Sequence, residues 1–183
     1  MGRIVAVLMV TTALSGGALL YYLQVYGFYR ELPPGAAAAL MVTGADGAEV
    51  PIRVSAFQAI DADSSPIRYR ACFTPENLPP PEALQPYPMA DPLNAPGWFD
   101  CFDATAIGTA LENGSATAYL GQADVHYGID RVIAVMADGR AFAWHQINAC
   151  GMEVFEGRPL PEACPPPPLP PPLPLPNAPV TGN

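Results

Sequence analysis

The chain has 183 residues, with 8 Arg and no Lys against 17 Asp plus Glu, a net charge of −9. That length holds one ordinary domain with appendages and leaves no room for two catalytic domains. The acidic balance argues against a nucleic-acid binder, which needs a basic surface to release counterions from phosphates. An apolar content of 50% excludes a wholly disordered chain.

From Ile4 to Tyr29 no residue is charged, and the run is bracketed by Arg3 and by Arg30-Glu31. A hydrocarbon core of about 30 Å needs about 20 such residues in a helix. A cleaved signal peptide is the competing reading, and Ser15-Gly16-Gly17-Ala18 resembles its cleavage site. The apolar run continues past it through Leu19-Leu20-Tyr21-Tyr22-Leu23, so residues 1–30 read as an uncleaved transmembrane anchor. Tyr21, Tyr22, Tyr26 and Tyr29 gather at its end, where amphipathic rings settle at the lipid–water interface. Arg3 places the amino terminus in the cytoplasm, and the acidic remainder lies outside. The absence of Lys beside abundant Ala, Gly, Pro and Arg suggests a GC-rich bacterial genome, which makes the expected location an inner membrane with the domain in the periplasm. Thr12, Ala13, Gly16 and Gly17 share one helix face, where small side chains let a second membrane helix approach.

After a linker at 31–35, residues 36–158 are the stretch able to build a core. Ala38 to Thr43 and Ala48 to Ile60 read as strands around Asp46-Gly47, with Val50, Ile52, Val54 and Ala56 on one face of the second. Pro51 cannot donate to a ladder, so that strand is expected to start at or lie along an edge. Ile67 to Phe73 alternates in the same way. Eight prolines between residues 75 and 98 preclude helix or central strand and predict a surface excursion. A helix then starts at the N-cap Asp103, with Phe102 and Ile107 as a hydrophobic staple and Gly114 closing its end. Ser115 to Leu120 reads as a strand. Arg131–Ala137 and Arg140–Asn148 form a hairpin around Asp138-Gly139, a dipeptide suited to a type I′ turn. Strands, one helix, then further strands predict an α+β domain with a mainly antiparallel sheet. Residues 159–183 form a Pro-rich tail expected to be disordered. Nine of the twelve residues from 165 to 176 are proline, which favours a polyproline II rod about 37 Å long.

Four cysteines, Cys72, Cys101, Cys150 and Cys164, suit an oxidising compartment and allow three pairings. Cys72–Cys101 with Cys150–Cys164 is preferred, because it ties down the excursion and clips the root of the tail. The two histidines are His126 and His145; with Asp124 they are the metal candidates, conditional on strand register. Alternation puts Phe142 and Trp144 on one face of their strand and Ala143 and His145 on the other. The bland alternative is one solvent-facing and one hydrogen-bonded histidine. Asp61-Ala62-Asp63-Ser64-Ser65 begins like a calcium loop but has Pro66 and Cys72 where Gly and Glu are needed, so an acidic turn explains it better. The chain contains no Gly-x-Ser-x-Gly, P-loop, dinucleotide fingerprint or His-Glu-x-x-His pattern, and no cofactor is expected.

Three segments together carry a resemblance. They are Tyr21-Tyr22-Leu23-Gln24-Val25-Tyr26, the run Ile60-Asp61-Ala62-Asp63-Ser64-Ser65-Pro66-Ile67-Arg68-Tyr69-Arg70-Ala71-Cys72-Phe73, and Asp138-Gly139-Arg140-Ala141-Phe142-Ala143-Trp144-His145-Gln146-Ile147-Asn148. The chain resembles an uncharacterised bacterial family of short single-pass membrane proteins. The resemblance implies no activity and no site residue. The expected partners are the lipid bilayer and a membrane protein met through the anchor helix and the Pro-rich tail. The function expected is that of a non-enzymatic accessory or assembly module of a membrane complex. The alternative is a small-ligand or metal-binding domain using His126 and His145.

Overall fold

A computed structural model describes residues 2–168. Helix α1 (Gly2–Tyr22) continues into a π-helical turn at Leu23–Gly27. The 26-residue segment Gly2–Gly27 has a mean hydropathy of 2.0 over its most apolar 18-residue window, and no residue of that window is buried. It is long and apolar enough to cross a bilayer.

The domain begins as soon as the helix ends. Strand β1 (Arg30–Glu31) pairs with β4 (Val54–Asp61), and Leu32 donates to the Ala59 carbonyl at 2.8 Å. Part of the expected linker at 31–35 is therefore sheet edge. A 3-10 turn at Pro34–Ala39 leads to β2 (Met41–Thr43), which pairs with β3 (Glu49–Pro51) in a separate two-stranded sheet. The expected continuous strand from Ala48 to Ile60 is thus broken at Ile52-Arg53. Ile52 donates back to Leu40 and turns its own side chain into the core.

The main sheet has the order β1-β4-β5-β8-β7-β6, antiparallel throughout. Its remaining members are β5 (Arg70–Pro75), β6 (Ala116–His126), β7 (Ile129–Met136) and β8 (Ala141–Ile147). β7 and β8 form the predicted hairpin with a different turn. Gly139 alone of the central pair has positive φ, at 89°, and its N–H bonds the Met136 carbonyl. A three-residue loop ending in a left-handed glycine replaces the type I′ turn. The Asp138 carboxylate accepts from both the backbone N–H and Nε of Arg140, which stabilises that geometry.

Both faces of the sheet are buried. Ala59, Ala71, Phe73, Ala141 and Ala143 face the small β2–β3 sheet, against Leu40, Val42 and Ile52. Ile60, Val132, Phe142 and Trp144 face helix α2 (Ala104–Glu112) through Phe99, Phe102 and Ile107. Each large side chain fully buried there contributes about 1.5–3 kcal/mol. The alternation read for β8 holds: alanines allow close approach on one side, and aromatics fill the wider gap on the other. Asp103 caps α2 by accepting from the Ala106 N–H at 3.0 Å.

The proline-rich stretch is not wholly superficial. Leu84 is 2% exposed within the first cluster, and Gln85 and Tyr87 exchange backbone bonds with Thr43, Leu120 and Ala118. This segment fits between β2 and β6 because each needs only one or two bonds, at positions where proline is absent. Arg70 anchors the far part of the stretch. Its buried guanidinium donates to the carbonyls of Leu93, Asn94, Ile67 and Tyr69. Burial lowers its pKa to about 10, so it is still charged at neutral pH.

A second helix in the domain, α3 (Ala149–Phe155), follows β8 where the sequence suggested only the end of a strand. Asn148 caps it, accepting from the Gly151 N–H at 2.9 Å. The structure bonds Cys72 to Cys101 and Cys150 to Cys164, so the interior strand β5 is tied to the entry of α2, and α3 to the root of the tail. Residues 169–183, with most of the predicted polyproline II segment, lie outside the described residues.

Candidate functional site

The strand ends that meet near the exit of the candidate membrane helix enclose a cleft of about 480 Å³. β4 finishes there at Asp61, paired with Arg30; β6 finishes at His126, and β7 begins at Ile129 opposite Ile147 of β8. Asp61, Asp63, His126, Tyr127, His145 and Phe155 are among its lining residues.

His145 forms the inner wall and is 4% exposed. Arg131 Nε donates to its Nε2 at 3.2 Å. A guanidinium can only donate, so Nε2 accepts and the ring proton sits on Nδ1, which donates to the Pro66 carbonyl at 2.8 Å. The imidazole is thereby held neutral in one tautomer. Burial is the main cause of its pKa falling to about 4; the Pro66 carbonyl opposes that shift, and Arg131, His126 and Arg70 add to it. The ring stacks on Tyr69 at 4.7 Å, and the Arg131 guanidinium lies 4.8 Å from the Tyr69 centroid on its face. Burial raises the Tyr69 hydroxyl to about 12.

His126 stands at the exposed mouth, its ring centroid 6.5 Å from that of His145. Asp124 does not join them. Its backbone has a φ of 45°, and its carboxylate accepts instead from the Gly128 N–H at 2.8 Å and from Asn148 Nδ2 at 3.2 Å. The structure therefore does not bring His126, His145 and Asp124 together as a three-ligand set. One carboxylate is turned away, and both nitrogens of the buried ring already have partners. Among the described residues no three His, Cys, Asp or Glu side chains are grouped to hold a metal ion. The acidic turn at residues 61–65 likewise supplies structure: Asp63 is ion-paired with Arg30, and Ser65 donates to the Ala62 carbonyl.

Behind the outer wall lies an acid that sequence reading passed over. Asp130, 7% exposed, accepts from the Asp124 N–H and Asn148 Nδ2 through one oxygen and from the Tyr87 hydroxyl through the other. It holds the β6–β7 turn, the α3 cap and the proline-rich stretch in one network. Its place next to Arg131 in a strand whose other residues, Ile129 and Val132 to Met136, are all apolar is the sequence signal for a partnered acid.

The cleft also borders the root of the tail, since Tyr127 donates its hydroxyl to the Pro165 carbonyl at 2.6 Å. A family profile matches residues 39–165, which takes in both disulfides, the cleft and that root. The chain belongs to DUF6446, a family of unknown function. The DUF6446 match leaves out α1 and β1, so the Arg30 that pairs with Asp63 at the cleft mouth comes from outside it. No curated protein and no solved structure matches the chain.

The small-residue face of α1 is uncovered. A Cβ added at Gly16 or Gly17 would meet nothing within 4 Å, and the Thr12 hydroxyl bonds back to the Leu8 carbonyl within the helix.

Proposed function

We propose that this chain is a single-pass protein of a bacterial inner membrane, with its amino terminus cytoplasmic and its DUF6446 domain periplasmic. It serves there as a non-enzymatic accessory or assembly module of a membrane complex. The observation that carries this reading is the junction between helix and domain. Arg68 Nη2 donates to Gln24 Oε1 at 2.6 Å, and Arg30 pairs with Asp63. A domain fastened to its own anchor holds a fixed orientation to whatever packs on the helix, as an assembly module requires. The paired cysteines suit an oxidising compartment, and Arg3 against the acidic remainder suits an inward amino terminus. The open Thr12, Ala13, Gly16 and Gly17 face and the Pro-rich tail are the two surfaces offered to a partner. The committed nitrogens of His145 suit a structural ring better than a proton-transfer catalyst.

Native gel electrophoresis of solubilised membranes, with crosslinking, tests this. The expected result is a complex larger than the monomer that is lost in Gly16→Leu/Gly17→Leu protein; migration of the wild type as a lone monomer with no crosslinked neighbour overturns it.

The second reading is a small polar ligand in the cleft, favoured by the exposed His126 imidazole, which lines it together with Asp61 and Asp63. Thermal-shift screening of purified protein, with His126→Ala as the control, separates the two.

A further inference from the structure

Trp98 belongs to the proline-rich stretch before α2, 73 residues from Val25, yet its indole Nε1 donates to the Val25 carbonyl at 2.7 Å. Its ring stacks on Tyr26 with centroids 6.4 Å apart and meets Tyr29 edge-on at 6.1 Å. Tyr26 in turn stacks on Tyr22 at 6.0 Å, and Arg68 lies over the Tyr29 ring at 5.3 Å. Helical rise fixes the level of this cluster. About 20 residues counted from Ile4 fill a hydrocarbon core of about 30 Å and end near Leu23, so Gln24 to Phe28 fall among the headgroups. The indole bonded to Val25 falls there too. Tyr22, Tyr26 and Phe28 are 58%, 46% and 40% exposed, so these rings carry apolar surface that the protein leaves uncovered, continuous with the lipid-facing side of the helix.

We infer that Trp98 completes an aromatic collar whose partner is the lipid headgroup layer, so that the domain itself is seated in the membrane surface rather than held above it on a tether. An amphipathic indole with its N–H satisfied and its ring among tyrosines suits that depth. The Arg68 guanidinium, which has no carboxylate partner among the described residues, sits at phosphate level beside it. This inference rests on α1 spanning the bilayer.

The chain has two tryptophans, and Trp144 is 0% exposed in the core. Full-length protein is reconstituted into phosphatidylcholine–phosphatidylglycerol vesicles whose acyl chains carry bromine either near the carboxyl end or near the methyl end. Shallow bromines are expected to quench the fluorescence by about a third or more and deep bromines by less, as for an interfacial ring. Trp98→Phe should lose most of the quenching, and Trp144→Phe, in which Trp98 is the sole reporter, should show more than the wild type. Equal quenching in Trp98→Phe and wild type, or an unquenched Trp98 in Trp144→Phe, overturns the collar. Alkaline extraction of the same vesicles separates the two failures: release of the protein overturns anchor and collar together, whereas retention with an unquenched Trp98 overturns the collar alone.

Discussion

Gly128 and Gly151 meet backbone to backbone, so that a Cβ on Gly151 would collide with the Gly128 carbonyl and one on Gly128 with the Gly151 Cα. This contact seats α3 on the β6–β7 turn and sets the wall of the cleft, because the Phe155 ring lies 3.7 Å from where a Gly128 Cβ would stand. Gly128 also has a φ of 74°, which side chains rarely adopt.

Gly151→Ala and Gly128→Ala should therefore each destabilise the protein, by about 2–4 kcal/mol, through overpacking and, at Gly128, backbone strain. Urea unfolding of the full chain in detergent measures it. A change below 0.5 kcal/mol in both, on the order expected for a neutral surface substitution, would show that α3 is not seated this way.

Asp130→Ala should cost about 2–4 kcal/mol, since it leaves the Tyr87 hydroxyl and the Asp124 N–H without their acceptor and the Asn148 amide with only Asp124. Hydrogen exchange should quicken at the β6–β7 turn and in α3 while the α2 face of the sheet keeps its protection. Uniform loss of protection would contradict a local network.

The pH dependence of stability should carry a signature of His145. Its native pKa of about 4 lies below the value of about 6.5 for the unfolded chain, so between these values the unfolded state binds more protons. The stabilising effect is present above pH 6.5 and is lost as pH falls toward 4. Between pH 7 and pH 5 unfolding free energy should drop by about 2 kcal/mol from this group, and His145→Gln should abolish that part of the slope. An unchanged slope in the variant would mean the ring is not held neutral.

In native membranes a thiol-reactive mass tag should add nothing before reduction and four equivalents after it. Cys101→Ser should free one thiol, at Cys72, which is 7% exposed and should label slowly until the protein is unfolded. Loss of that bridge costs about 3 kcal/mol in the chain-entropy account and should increase proteolysis between Pro75 and Pro96. Cys164→Ser should expose the tail root and spare the core. Four labelled thiols in untreated protein would defeat the pairing and the oxidising compartment together.

What could be read directly from the sequence rests on short-range physics. Asp103 capping α2, the hairpin at Asp138-Gly139 and the apolar run of α1 each depend on residues a few positions apart, so local bonding and helical rise are enough to specify them. Periodicity also separated Phe142 and Trp144 from Ala143 and His145, because successive strand residues must point to opposite faces. The helix α3 was hidden because seven residues give too little periodicity, and its seat depends on a glycine in another element. The break at Ile52 was hidden for a related reason: the alternation runs straight through a point where the chain changes sheets. Only the packed fold decided that Arg131 fixes the tautomer of His145, that Asp124 turns to Asn148 instead of the histidines, and that Trp98 bonds Val25. Those contacts span 14, 24 and 73 residues, and they form only after two independently buried sheet faces have set the register that brings the partners together.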